Sequence, residues 1–215
     1  MREEFQADLT EVSRLLVDMA EAVRAAMRKA TTALLKADIE AARSVIERDA
    51  EVNATYHQLE QKVVDSIARQ APVATDLRTL LTALHVSADL ERMGDLAEHV
   101  AKTAQRRHPS PAVPAELRPV FQQMAAVADR MAEKITTVLG APNADLAAEL
   151  EKDDDEMDEL ERDLFKILLA DSWPYGAETA IDGALLGRFY ERYADHAVNA
   201  GEQVVYLITG EPVGS

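Results

Sequence analysis

The chain has 215 residues, with 23 Lys and Arg against 39 Asp and Glu and a formal net charge of −16. That length suffices for one or two domains with a real core, and 47% hydrophobic residues are too many for a disordered chain. The charge argues against nucleic acid and anionic membrane faces as partners, and the absence of cysteine excludes disulfides, thiolate metal ligands and Cys nucleophiles. The start, MREEFQADL, has no apolar segment and does not read as a signal peptide. No apolar run exceeds the five residues of Val204 to Ile208, where a bilayer span needs about 20. The expectation is a cytoplasmic protein without direct membrane insertion and without nucleic-acid binding.

Alanine occurs 37 times and leucine 23 times, no glycine precedes Gly94, and Pro72 is the only proline in the first 108 residues. Strong helix formers without breakers predict an all-α chain. A first helix is expected from about Arg2 to Lys36, and Asp38 is positioned to cap a second that Pro72 ends after about Gln70. Thr75 or Asp76 starts a third, reaching about Arg106. The segment HPSPAVP, residues 108–114, reads as a linker between units at 1–107 and 115–211. Beyond it a helix runs from about Ala115 to Gly140, Asn143 caps another ending near Ala170, and a last one follows the loop DSWPYG to about Gly210.

The two halves read as copies. A shift of 105 residues lays Leu16, Met19, Ala22 and Leu34 on Phe121, Met124, Val127 and Leu139, and Val45, Asp49, Val52 and Leu59 on Leu150, Asp154, Met157 and Leu164. In the third helices the shift is 100, placing Glu91, Arg92, Asp95 and Ala97 on Glu191, Arg192, Asp195 and Ala197. A period near 100 is too long for a solenoid and predicts two tandem three-helix bundles related by internal pseudo-symmetry.

Acidic residues on a helix surface mean little, but these interrupt apolar stripes. Leu77, Leu81, Leu84 and Ala88 follow helical steps along what reads as the core face of the third helix, which continues with Glu91, Asp95 and then Glu98 or His99. In the counterpart, Ile181 and Ala184 lead to Glu191, Asp195 and Asn199. In the second helices Asp49 shares a heptad position with Ala42, Tyr56 and Val63, and Asp154 shares one with Ala147, Glu161 and Leu168. One turn on lie Asn53 and Asp158. The i, i+4 spacing puts like charges one turn apart on one face, where they repel. Partly buried carboxylates are costly unless a cation or hydrogen-bond donors compensate them, and a cation that takes oxygen ligands is the natural partner. Asp154, Asp158, Glu191 and Asp195 form the fuller set, and Asp49, Glu91 and Asp95 the lesser.

The bland alternative is a solvated face, or salt bridges to Arg92 and Arg192, in a chain with 39 acids. The run DDDEMDELE at 153–161 reads as solvated surface near a helix N-terminus. His57, His85 and His108 read as surface or capping residues, and His99 and His196 as possible ligands but more readily as exposed residues or supports of the ligands. Met19, Met27, Met124 and Met131 fall at core spacing. No nucleotide-cradling glycine motif, G-x-S-x-G or H-E-x-x-H occurs, and no His has Glu three residues before it, so the di-iron bundle motif is missing.

Three segments stand out: RQAPVATDLR (69–78), and DLERMGDLAEHVAK (89–102) and YERYADHAVNAGEQVVYLITGE (190–211), the last two of which carry an E-x-x-x-D signature, once per half. In these the chain resembles the PhoU family of phosphate-signalling proteins over almost its whole length. The resemblance implies two three-helix bundles, a homodimer, and metal-cluster ligands at Glu91, Asp95, Glu191 and Asp195, with Asp49, Asp154 and Asp158 from the adjacent helices. Iron or zinc is the metal it implies, with magnesium or manganese as alternatives, and Asn53 departs from the commoner acid at its position. It further implies a non-catalytic regulatory adaptor that represses phosphate uptake and the phosphate-starvation response. Its implied partners are the ATPase subunit of the phosphate ABC transporter and a sensor histidine kinase. The rival class is a carboxylate-bridged metalloenzyme, a phosphoesterase or oxidase in a helical bundle.

Overall fold

The computed structural model describes residues 2–211. Its helices are α1 (Arg2–Lys36), α2 (Ile39–Gln70), α3 (Thr75–Arg107), α4 (Arg118–Gly140), α5 (Ala144–Ala148), α6 (Leu150–Leu168) and α7 (Gly176–Thr209), with a 3₁₀ turn at Ala115–Leu117. No strand occurs among the described residues. Helices α1 to α3 form the first repeat, and α4 to α7 form the second.

Local chemistry sets the boundaries. Asp38 accepts from the backbone N–H of Glu40 at 3.1 Å and of Ala41 at 3.0 Å, opening α2. Asn143 accepts from the N–H of Leu146 at 3.1 Å and opens α5. Gly210 closes α7 in the left-handed region at φ 78°. The fourth helix starts at Arg118 rather than Ala115, because Pro119, which has no N–H to donate, fits only the first turn. The single helix expected after Asn143 is interrupted at Glu149, which keeps helical angles (φ −71°, ψ −16°). The Pro-rich segment connects the repeats, yet its Ala112 and Val113 are buried in the core.

One stripe differs from expectation. The buried face of α3 runs through Leu80, Ala83, Leu90, Met93, Ala97 and Val100, whereas Leu81 is 42% exposed and its counterpart Ile181 is 59% exposed. Leu77, Leu84 and Ala184 are partly covered and Ala88 is exposed. The acid-bearing stripe therefore flanks the core. Helix α3 touches α1, α2 and α7 at once, so its apolar surface is wide enough to carry leucines on two stripes.

The repeats join through α1 and α3 on one side and α4 and α7 on the other. Arg24 donates to both oxygens of Asp129, at 2.7 and 3.0 Å, and its third nitrogen reaches Glu133 at 3.2 Å. Thr31 and the fully buried Tyr190 share a 2.7 Å hydrogen bond between hydroxyls. Asp182 of α7 is held by Arg106 at 2.8 Å and Arg107 at 2.5 Å, at the end of α3. Met19, Met27, Met124 and Met131 are all buried.

Helix α6 seats on α7 over glycines. A Cβ at Gly187 would stand 2.5 Å from Leu164 Cδ2, and one at Gly201 would stand 2.5 Å from Leu150 Cδ1. Gly187→Leu is expected to cost about 1–3 kcal/mol through overpacking, read as a lower midpoint at unchanged slope in denaturant unfolding. An unchanged midpoint would mean that α6 is not seated this closely.

Candidate functional site

The close approach of α6 and α7 sets the acids of the second repeat on facing surfaces. Glu191 is buried, at 8% exposure, Asp154, Glu161 and Asp195 are partly buried, and Asp158 is exposed. Glu161 lies beside the backbone of α7, its Cγ 4.0 Å from where a Gly187 Cβ would be. Arg188, one turn before Glu191, makes a direct ion pair with one of its oxygens. Two carboxylate oxygens, Asp154 Oδ1 and Glu191 Oε2, are buried and find no hydrogen-bond partner among the described residues.

The electrostatics follow. Burial, reinforced by the neighbouring charges of Asp195, Asp158 and Asp155, pushes the Asp154 carboxyl up to about 6. Burial and then Asp195 push Glu191 up to about 7, against the pull of Arg188. Burial also raises Glu161, with Arg188 opposing and Asp158 and Asp195 adding to it. The face thus concentrates negative charge that its own cations do not neutralise.

The first repeat is milder. Asn53 Nδ2 donates to Asp49 at 2.9 Å, where the second repeat has Asp158. Arg92 reaches Asp95 at 2.8 Å and Glu91 at 3.5 Å. Burial raises Asp49, with Glu98 and Asp95 adding to it and the Asn53 hydrogen bond and Lys102 opposing. Glu91 is raised by burial and by Asp95, against Arg92.

All seven candidate acids, Asp49, Glu91, Asp95, Asp154, Asp158, Glu191 and Asp195, lie on these two faces. Among the described residues no three His, Asp or Glu side chains converge on a point where an ion would sit. The helices place the acids along a shared face without closing them around a centre. Glu161 and Glu98 belong to the faces as well, and their signal was positional. Glu161 shares the heptad position of Asp154, and Glu98 continues the stripe of Glu91 and Asp95.

Two expectations change. Asp153, read as solvated, is buried at 7% exposure and bonded to Arg130 at 2.9 Å and Lys134 at 2.9 Å. The cation on Glu191 is Arg188 rather than Arg192. His99 is exposed, as expected, and stacks on Phe189 at 5.2 Å, and the half-buried His196 bonds Asp89 of α3 at 2.9 Å, so both serve the contact between repeats.

Fold and site together define a class: a duplicated helical-bundle protein with one carboxylate face in each copy. The family described as the PhoU domain matches residues 16–104 and 121–204. Those segments are offset by 105 residues at their starts and 100 at their ends, the same offsets that relate the two halves. The chain belongs to the PhoU family. It is 40% identical over 210 residues to the phosphate-specific transport system accessory protein PhoU homolog 2 of Mycobacterium tuberculosis, covering 98% of this chain and 99% of that protein. The Deinococcus radiodurans PhoU homolog is 32% identical over 214 residues, with 98% and 99% covered. Among solved structures, PhoU from Pseudomonas aeruginosa superposes with a TM-score of 0.86 at 27% identity, over 96% of this chain and all of that one. The Streptococcus pneumoniae PhoU regulatory protein shares the fold at TM-score 0.88 and 24% identity, over 98% of this chain and 100% of that one.

Since folding raises these carboxyls, the folded state holds protons that the unfolded state releases. In chelator-treated protein the stability they permit is full below the ordinary carboxylate range and falls as pH rises through about 6 and 7. Glu191→Gln and Asp154→Asn should each flatten that slope and stabilise the protein at pH 8 by an amount on the order of 1 kcal/mol, allowing for solvent screening. Thermal unfolding from pH 4 to 8 reads this, and an unchanged slope in both variants would show that the acids are effectively solvated.

Proposed function

We propose that this protein is a cytoplasmic regulatory adaptor of phosphate homeostasis. It restrains phosphate uptake and two-component starvation signalling through contacts with the transporter ATPase and the sensor kinase, and it works as a homodimer. The observation that carries the reading is the match to PhoU accessory proteins along nearly the whole chain, in both repeats. No helix among the described residues is long and apolar enough to cross a membrane, which suits contact with a transporter through its ATPase.

The chemistry of the second carboxylate face suits a cation, though its acids do not close around one centre. Two buried oxygens without donors, in a set made of carboxylates alone, match hard or intermediate metals such as iron, zinc, manganese or magnesium. Asp154, Asp158, Glu191 and Asp195, with Glu161, would hold it in the second repeat, and Asp49, Glu91 and Asp95, with Glu98, in the first. A bound cation would supply positive charge that offsets the repulsion among the acids of α6 and α7, or of α2 and α3. The acids anchor the helices, and the outer surface of the bundle carries the docking.

Elemental analysis of protein purified without chelator or His-tag is expected to find iron, zinc or manganese at about one ion or more per chain, lost in Glu191→Ala/Asp195→Ala. Pull-down of the transporter ATPase is expected to weaken several-fold in the same variant. Equal retention with the metal gone would separate the metal from docking. Metal-dependent turnover of a phosphate ester would favour the enzymatic rival.

A further inference from the structure

The two repeats differ in the crevice between their first and second helices. In the second repeat Arg130 of α4 crosses it and donates to Asp153 at 2.9 Å and Glu156 at 2.5 Å, while Lys134 reaches Glu149 at 3.0 Å and Asp153 at 2.9 Å. The positions 105 residues earlier hold Ala25 for Arg130, Ala26 for Met131, Ala22 for Val127, Arg48 for Asp153 and Ser44 for Glu149. Gly94 of α3 likewise faces the crevice where α7 carries Ala194. Each exchange removes atoms or inverts a charge.

The result is a crevice of about 190 Å³ between α1 and α2. Its floor is Met19, Val45, Val52 and Gly94, all buried, and Ala22 and Ala26 wall it. Lys29 and Arg48 stand at the rim. Lys29 Nζ donates to the Ser44 hydroxyl at 2.6 Å, whereas its counterpart Lys134 holds two carboxylates. The acids at the mouth are engaged: Asp18 by Arg14 at 2.5 Å, Glu51 by Arg48 at 3.0 Å, and Asp49 by Asn53 at 2.9 Å.

We propose that this crevice is a binding site for a small amphipathic carboxylate, an aryl or short-chain acid. The internal template is Arg130, an apolar stem ending in a cation that meets two acids. With Arg48 in place of Asp153, and Lys29 on a hydroxyl where Lys134 holds two carboxylates, the complementary occupant is an apolar body ending in an anion. Its body lies on Val45, Val52 and Gly94, and its carboxylate meets Lys29 and Arg48. The volume is right, since an apolar cavity of about 150 Å³ accepts benzene.

The probe is 4-fluorophenylacetate, titrated by ¹⁹F NMR against the full chain, with the neutral 4-fluorophenylacetamide beside it. Saturable binding of the acid is expected, about tenfold tighter than the amide. Ala26→Met, which installs the residue that the second repeat accommodates, should abolish binding of both with the circular dichroism unchanged. The pair Ala25→Arg/Arg48→Asp, which rebuilds the Arg130 closure, should do the same. Lys29→Gln should erase the preference for the acid and leave amide binding intact. Absence of saturable binding to the wild type, or undiminished binding to Ala26→Met, would overturn the proposal. So would a wild type that binds neither probe and a sedimentation profile that moves from dimer to monomer in Ala26→Met, because the crevice would then seat a second copy of the chain.

Discussion

Helix α6 lies on α7 only because Gly187 and Gly201 offer no side chain to Leu164 and Leu150, and the acidic face of the second repeat depends on that spacing. Closer backbones exclude water from between the helices, and excluding water raises Asp154 and Glu191. The same closeness brings Asp195 of α7 within electrostatic reach of Asp154 on α6. A wider seam would leave the same residues solvated and ordinary. In the first repeat the load is lighter, because Asn53 donates to Asp49 and Arg92 spans Glu91 and Asp95. The two faces therefore share a plan and differ in how much charge they leave uncompensated, the second holding the greater excess.

Much of this was legible in the residues. Asp38, Pro72, Asn143 and Gly210 mark helix ends by local chemistry that tertiary context did not override, and the two offsets exposed the duplication. The seven acids were put forward as candidates from spacing, because a carboxylate in a stripe of apolar residues is conspicuous, and the structure sets them along two helix faces. What periodicity could not decide was which of two leucine-bearing stripes of α3 faces inward. Leu80 and Leu81 sit on adjacent positions, and only the presence of α7 as an additional neighbour selects the first. Asp153 was illegible for a related reason. Its neutralising partners, Arg130 and Lys134, come from α4, and a run of acids read along one helix gives no hint of them.

Duplication also explains why similarity between the halves is informative where it fails. The positions of Arg130, Asp153 and Lys134 make a closed, salt-bridged seam in one copy, and their counterparts leave an apolar crevice with Lys29 and Arg48 at its rim in the other. Membership of the PhoU family accounts for what the copies share.

The contact between α1 and α4 shows what fusing two copies permits. Residue 24 and its equivalent 129 meet each other, as do 28 and 129 at 3.7 Å and 24 and 133 at 3.2 Å, so the pairing follows the pseudo-twofold relation. Two unlinked identical halves joined in this way would set arginine against arginine, or aspartate against aspartate. Within one polypeptide each side has become free to specialise, one keeping the cations and the other the anions. The halves are now an obligate couple, like a lock and key cut from one blank, and neither could return to pairing with itself.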